Sequence, residues 1–217
     1  MPYTLSQSSL SLMKECPRCF WLEQNRIWKR PIGIFPSLPS GMDRILKKHF
    51  DIFRDKGELP PELKENEECK GMSLFSDKGL LDSWRDRKIG LKFADNEGNI
   101  LIGMIDNVLV KDSKLVVLDY KTRGYELKDN SHEYYQDQLD IYTLLLKKNN
   151  HEIEDFGFLL FYIPNKVLET GEVLFDTKLV KMKVYPFNAQ KLFDIAIKLL
   201  KGKCPEDRCE WCRGIDI

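Results

Sequence analysis

Residues Leu115 to Thr122 read LVVLDYKT, an apolar run that ends in a carboxylate, an aromatic ring and an ammonium. Side chains at i and i+2 of a strand share a face, so Asp119 and Lys121 point the same way from a segment whose Leu and Val residues demand burial. Burying one charge without a partner is costly, and a core strand that ends in two marks a site. The companion segment ILIGMIDNVLV, Ile100 to Val110, carries one carboxylate, Asp106. Between the two lies Lys111-Asp112-Ser113-Lys114, and a two-residue or a four-residue loop is centred at the same point. Either sets Val110 opposite Leu115 and, further along both strands, Asp106 opposite Asp119. Facing Cβ atoms in such a pair stand roughly 4.5–5.5 Å apart. Two carboxylates so placed repel unless one is protonated or a cation lies between them. A hard divalent ion that prefers oxygen, Mg2+ or Mn2+, resolves the conflict. The plainer alternative puts both acids at strand ends in water, with Lys121 paired to one of them.

The cysteines form a second constellation. Cys16 and Cys19 stand in CPRC, Cys204, Cys209 and Cys212 in CPEDRCEWC, and Cys69 lies alone in a charged stretch. Paired CxxC motifs are a strong metal signal, and disulfides are unexpected in a cytosolic chain. Two ligand sets are open: Cys16, Cys204, Cys209 and Cys212, or Cys16, Cys19, Cys209 and Cys212 around zinc.

The elements that must position these groups follow from periodicity and breakers. Ser8 to about Gln24 reads as one helix, Arg30 to Gly41 as a Pro/Gly loop, and Ser40 as the cap of a helix reaching Lys56, with Asp43 at a capping-box-like spacing. A short helix is expected around Leu80 to Arg87. Lys92 to Ala94, Ile100 to Val110 and Leu115 to Thr122 make a three-strand meander. Glu133 to Lys148 is helical, Phe156 to Ile163 a buried strand, and Val173 to Tyr185 a strand or hairpin. Asn188 caps a last helix to about Lys201. The chain has 217 residues, 42% of them hydrophobic, enough for one α/β core. Its formal net charge is zero, which leaves no global field to attract nucleic acid. Basic residues nevertheless gather at Lys14, Arg18, Arg26, Lys29 and Arg30, and again at Lys178, Lys181, Lys183, Lys191, Lys198, Lys201 and Lys203. Local basic faces serve a phosphate backbone, although a solvated surface is the default for any charge run. With no apolar run of about 18 residues and no signal-peptide core, a cytoplasmic location is expected.

GMID followed by LDYKT resembles motifs II and III of the PD-(D/E)XK nuclease superfamily, with Asp106 as the first acid and Asp119-Tyr120-Lys121 as the (D/E)xK element. QLDIY, Gln138 to Tyr142, is similar to the QxxxY element of the RecB-like branch, which includes AddB and the CRISPR-associated adaptation nucleases. SLSLMKECPRCFWL resembles the opening of the same branch. The resemblance implies a restriction-endonuclease-like αβββαβ core, with a mixed central sheet flanked by helices and the chain ends joined by a Cys-ligated metal centre. Residues 1–217 would form one nuclease domain, with 1–30 and 204–217 making the staple. In that branch the staple is a [4Fe–4S] cluster, which would assign Cys16, Cys204, Cys209 and Cys212. The family's usual order places a later Cys after C-x2-C, whereas here Cys204 precedes Cys209-x2-Cys212.

The same resemblance implies that Asp106, Asp119 and the backbone carbonyl of Tyr120 hold Mg2+ or Mn2+, and that Lys121 orients a water and stabilises transition-state charge. Gln138 and Tyr142, one turn apart on a helix face shared with Tyr134, would contact the site or the DNA, where core packing is the ordinary role of such a stripe. His49 is a candidate additional metal ligand, but the usual Gly-x-x-x-His spacing is not met by Gly41, and an ordinary helix histidine is equally compatible. The expected activity is processing of single-stranded DNA or free DNA ends. The rival readings are a non-catalytic nucleic-acid-binding protein of the same fold and a zinc-stapled interaction module; the second leaves Asp106 to Lys121 unexplained.

Overall fold

The computed structural model describes residues 2–31, 33, 37–128 and 130–216. The expected loop over Arg30 to Gly41 falls partly on 32 and 34–36, outside the described residues.

The chain opens with a short strand, β1 (Thr4–Ser6), and two helices, α1 (Gln7–Glu15) and α2 (Pro17–Gln24). The single helix expected here is broken because Pro17 has no N–H to donate and its ring excludes the preceding turn. Cys16 becomes extended, at φ −155° and ψ 103°, and its sulfur caps α2 by accepting from the Cys19 amide. The helix that follows, α3, begins at Ser37 rather than Ser40 and runs Ser37–Lys56. Its buried face is Met42, Leu46, Phe50 and Arg54. After α4 (Pro61–Lys64) and β2 (Ser73–Leu74), Asp77 caps α5 (Lys78–Arg85) by accepting from Leu80.

The segment Ile100 to Val110, expected as one strand, is two. After β3 (Leu91–Ala94), β4 (Ile100–Gly103) pairs with β3 and, in parallel, with β1 in a three-stranded sheet. β5 (Asn107–Lys111) pairs instead with β6 (Lys114–Thr122). Between them α5 pins the bend: Ile105 N donates to Trp84 O at 3.3 Å, and Arg85 Nε donates to Asp106 O at 2.8 Å. The β5–β6 turn is the two-residue form, with Asp112 at φ 46° and Ser113 at φ 67°. Positive φ at both central residues matches the twist of flanking strands. The register sets Val110 against Leu115 and Asn107 against Leu118, as the hairpin symmetry requires.

The remaining elements are α6 (Gln136–Lys148), preceded by one 3-10 turn, then β7 (Phe156–Val167), β8 (Val173–Lys183) and α7 (Pro186–Lys201). Pro186 is the first residue of α7, so Asn188 lies inside the helix rather than capping it. The larger sheet has the order β2-β5-β6-β7-β8, with β6 and β7 parallel and the other pairs antiparallel. This is the mixed α/β core expected of the fold. One face buries Leu115 and Val117 of β6 with Leu159 and Phe161 of β7 against Ile141, Leu145, Phe193 and Ile197. The opposite face sets Val116, Leu118 and Tyr120 against Met42, Leu46 and Phe50 of α3. No helix among the described residues is long and apolar enough to cross a membrane.

Candidate active site and cysteine cluster

The β5–β6 ladder stops at the Asn107–Leu118 pair, while β6 continues beside β7 through Thr122. Asp119 and Lys121 therefore project from a stretch of strand that β5 has left, and Asp106 reaches them from the bend just before β5. Side-chain alternation puts Asp119 on the α6 face, where Gln138 and Tyr142 meet it. Gln138 Nε2 donates to Asp119 Oδ1 at 3.2 Å and to Tyr142 Oη at 2.9 Å. Lys121 Nζ donates to Gln138 Oε1 at 2.8 Å, pairs with Asp119 Oδ2 and lies 4.6 Å from the centre of the Tyr135 ring. Gly103 lets α6 come this close: a Cβ there would stand 2.7 Å from Leu145 Cδ1 and 3.1 Å from the Tyr142 ring.

Asp119 is 1% exposed. Burial pushes its carboxyl up to about 7; Lys121 pulls it down, and the charge of Asp106 beside it adds to the rise. Its Oδ2 touches the Lys121 ammonium but makes no well-directed hydrogen bond. A buried carboxylate oxygen with spare lone pairs, next to a second carboxylate, is an all-oxygen donor set of the type hard divalent ions take. Tyr120 points its ring to the other side of the sheet, where Asn107 Nδ2 donates to its hydroxyl at 2.5 Å. Only its backbone lies at the acid pair.

His49 is not brought to this site. Each helical residue advances about 100°, and α3 presents Asp43 and Lys47, one turn apart, to the acids. Lys47 Nζ lies 2.9 Å from Asp106 Oδ1 and 2.8 Å from Asp43 Oδ2. Burial opposes its charge, but Asp106 and Asp43 raise its pKa above the usual lysine value. His49 instead faces α4, with Nε2 3.0 Å from Glu62 Oε1, and that oxygen also accepts from the Tyr162 hydroxyl at 2.8 Å. Sequence reasoning missed Lys47 and Asp43; their four-residue spacing showed a shared face without showing which face meets the acids.

The chain ends meet at four sulfurs, those of Cys16, Cys19, Cys209 and Cys212, all within 4.8 Å of one another. Cys16 Sγ is 3.9 Å from Cys212 Sγ, Cys19 Sγ 3.4 Å from Cys209 Sγ, and Cys209 Sγ 3.7 Å from Cys212 Sγ. Cys204, assigned by resemblance to the staple, is not in this group. Its sulfur sits 3.2 Å from Arg18 Nη1, and the same guanidinium donates to Pro205 O at 2.7 Å and Ile215 O at 2.8 Å. Burial alone would raise the Cys209 thiol; the Cys212 amide and the Cys19 thiol overcome it and hold Cys209 down to about 6. Burial, reinforced by Cys209, raises Cys19. Among the N-terminal basic residues, Arg18 is consumed in this packing, Arg30 pairs with Glu15 and Lys14 with Asp137, which leaves less of that basic patch free than the sequence advertises.

No curated protein matches the sequence. The PD-(D/E)XK nuclease superfamily matches over residues 76–214, a span that contains the bend, both acids, Lys121, Gln138, Tyr142 and the C-terminal cysteine pair. With the motif residues convergent on one strand end and the match covering most of the chain, the protein belongs to the PD-(D/E)XK nuclease superfamily.

Proposed function

We propose that the chain is a single-domain, divalent-metal-dependent DNA nuclease that acts on single-stranded DNA or DNA ends. The observation that carries this is the Asp106–Asp119 pair, one member fully buried and each with a lysine on it. A protein that only bound nucleic acid would gain nothing from holding Asp119 in so unfavourable a place. Asp106, Asp119 and the Tyr120 carbonyl would hold Mg2+ or Mn2+, which supplies Lewis-acid polarisation of the phosphate and a bound water of lowered pKa. Gln138 fixes Lys121 and Asp119 relative to each other through its amide, so both stay in register with the scissile phosphate. Lys121 offers its ammonium where negative charge grows in the transition state. Tyr142 and the Lys121–Tyr135 contact keep water out behind the acids. Tyr134, 78% exposed and next to Tyr135 in the chain, is a ready stacking surface for an unpaired base, and this supports the single-stranded reading.

The four clustered sulfurs form a structural staple. Thiolates at about 2.3 Å from one tetrahedral ion stand roughly 3.8 Å apart; the pairs Cys16–Cys212, Cys19–Cys209 and Cys209–Cys212 stand 3.4–3.9 Å apart, and all four sulfurs lie within 4.8 Å of one another. The compactness of the set is the reason for reading it as a zinc site; a [4Fe–4S] cluster, which also takes four thiolates, is the alternative. The test of the enzyme is cleavage of a labelled single strand and of a blunt duplex with and without Mn2+, beside Asp119→Ala. Mn2+-dependent cleavage lost in the variant is expected; DNA binding without cleavage in Mn2+ would overturn the nuclease in favour of a binding protein. Metal analysis after anaerobic purification decides the staple: zinc near one per chain is expected, and iron with a brown chromophore would establish the cluster.

A further inference from the structure

The acid–lysine motif supplies one ammonium to the carboxylate pair. The fold supplies another. Asp119 is paired with Lys121, and Asp106 with Lys47 at 2.9 Å. A divalent ion held by Asp106 and Asp119 competes with these ammoniums for the same carboxylate lone pairs.

The two lysines are held differently. Lys121 has a neutral partner in Gln138 at 2.8 Å and a ring beside it, and its side chain is 15% exposed. It can release a carboxylate and stay where it is. Lys47 touches two carboxylates, Asp106 on the bend and Asp43 one turn back on its own helix at 2.8 Å. Its side chain is 24% exposed and that of Asp43 42%. Rotation about its flexible stem lets it leave Asp106, keep Asp43 and move outward, with no change in the buried face of α3.

We infer that Lys47 is an internal counter-cation: it neutralises Asp106 while no divalent ion is present and withdraws to Asp43 when one binds, so that it sets the ion concentration at which the site fills. This rests on the metal-nuclease reading above. Without Lys47, Asp43 and Asp106 would stand near each other with no ammonium between them, so the lysine also relieves repulsion before the ion arrives. After the ion arrives, a cation kept nearby opposes it.

Calorimetric Mn2+ titration in chelator-free buffer tests this on the full chain. Lys47→Met keeps the aliphatic stem and removes the charge. It is expected to bind Mn2+ about tenfold more tightly than the parent, roughly 1.4 kcal/mol, while Lys47→Arg, still charged, binds as the parent does. Mere structural damage would weaken binding, so a tightening is specific to the proposed role. Lys47→Gln carries the same expectation if the Met variant does not fold. Unchanged or weaker Mn2+ affinity in a folded, uncharged variant overturns the inference. Asp119→Ala separates the two levels: if the parent binds no Mn2+, or Asp119→Ala binds it equally well, the metal-site reading itself has failed.

Discussion

Asp119→Asn isolates the cost of keeping one carboxylate in the core. The amide has nearly the shape of the acid and cannot ionise. In the unfolded chain Asp119 titrates near the ordinary 3.8, and in the fold near 7, because burial outweighs the pull of Lys121. Below the lower value the carboxyl is protonated in both states and the stabilities of the two proteins differ by a constant. As pH rises, the unfolded state loses its proton first and the folded state holds it, so parent stability falls by up to roughly 1.4 kcal/mol per pH unit. Above about 7 the loss is complete, amounting to about 4 kcal/mol. The discount for a side chain that is 1% exposed is small, but Asp119 interacts strongly with the charges of Lys121 and Asp106 beside it, and a loss of about 2–4 kcal/mol is the working range. Urea melts of both proteins at pH 4 and pH 8, in buffer free of Mg2+ and Mn2+, read this directly. The Asn variant should gain that amount on the parent between the two pH values. Adding Mn2+ at pH 8 should then restore the parent alone, by about 2.7 kcal/mol at a hundredfold excess over Kd. A stability difference that does not change with pH would refute the reasoning, since it would mean that Asp119 ionises in the fold as easily as in water.

Lys121→Ala should lower single-turnover cleavage by roughly 10² or more and leave Mn2+ binding measurable by calorimetry, because the lysine supplies no ligand. Gly103→Ala should cost about 1–3 kcal/mol in a thermal melt, since the new methyl group meets Leu145 Cδ1 at 2.7 Å, and activity should fall with the displaced Tyr142. Cys19→Ser should lose the bound metal and lower the melting temperature, while Cys204→Ser keeps the metal; elemental analysis beside calorimetry checks both. Cys69, buried beneath Met72 and Leu74 on the far side of the sheet, should retain full metal content as Ser.

The acid pair was legible because a hairpin is symmetric about its turn. Once Asp112-Ser113 is the centre, the register runs to Asn107–Leu118 whichever loop length holds and leaves Asp106 and Asp119 one step beyond the last pair, Asp106 on the bend and Asp119 on β6; side-chain alternation puts Lys121 on the face of Asp119. The break at Met104–Asp106 was not legible. ILIG and NVLVK are both apolar, and periodicity says that a segment is buried without saying which sheet it joins; the choice is made by Trp84 and Arg85, which hold the backbone at Ile105 and Asp106. Pro17 carried its own signal, and its consequence is chemical: by ending α1 it turns Cys16 into the cap of α2 and brings its sulfur 3.4 Å from the Cys19 amide. That local geometry, and not the count of cysteines at each end, selects Cys19 over Cys204. Lys47 shows the limit most clearly. Nothing in GMDRILKKHFD distinguishes Lys47 from Lys48 or favours it over His49, because the distinction is which side of α3 rests on β6. Leu46 and Phe50 settle that by filling the space against Leu118 and Tyr120, and the rotation they impose delivers Asp43 and Lys47 to the acids and turns His49 toward Glu62. The charge environment of the site is thus set by the packing of an apolar stripe that itself does no chemistry.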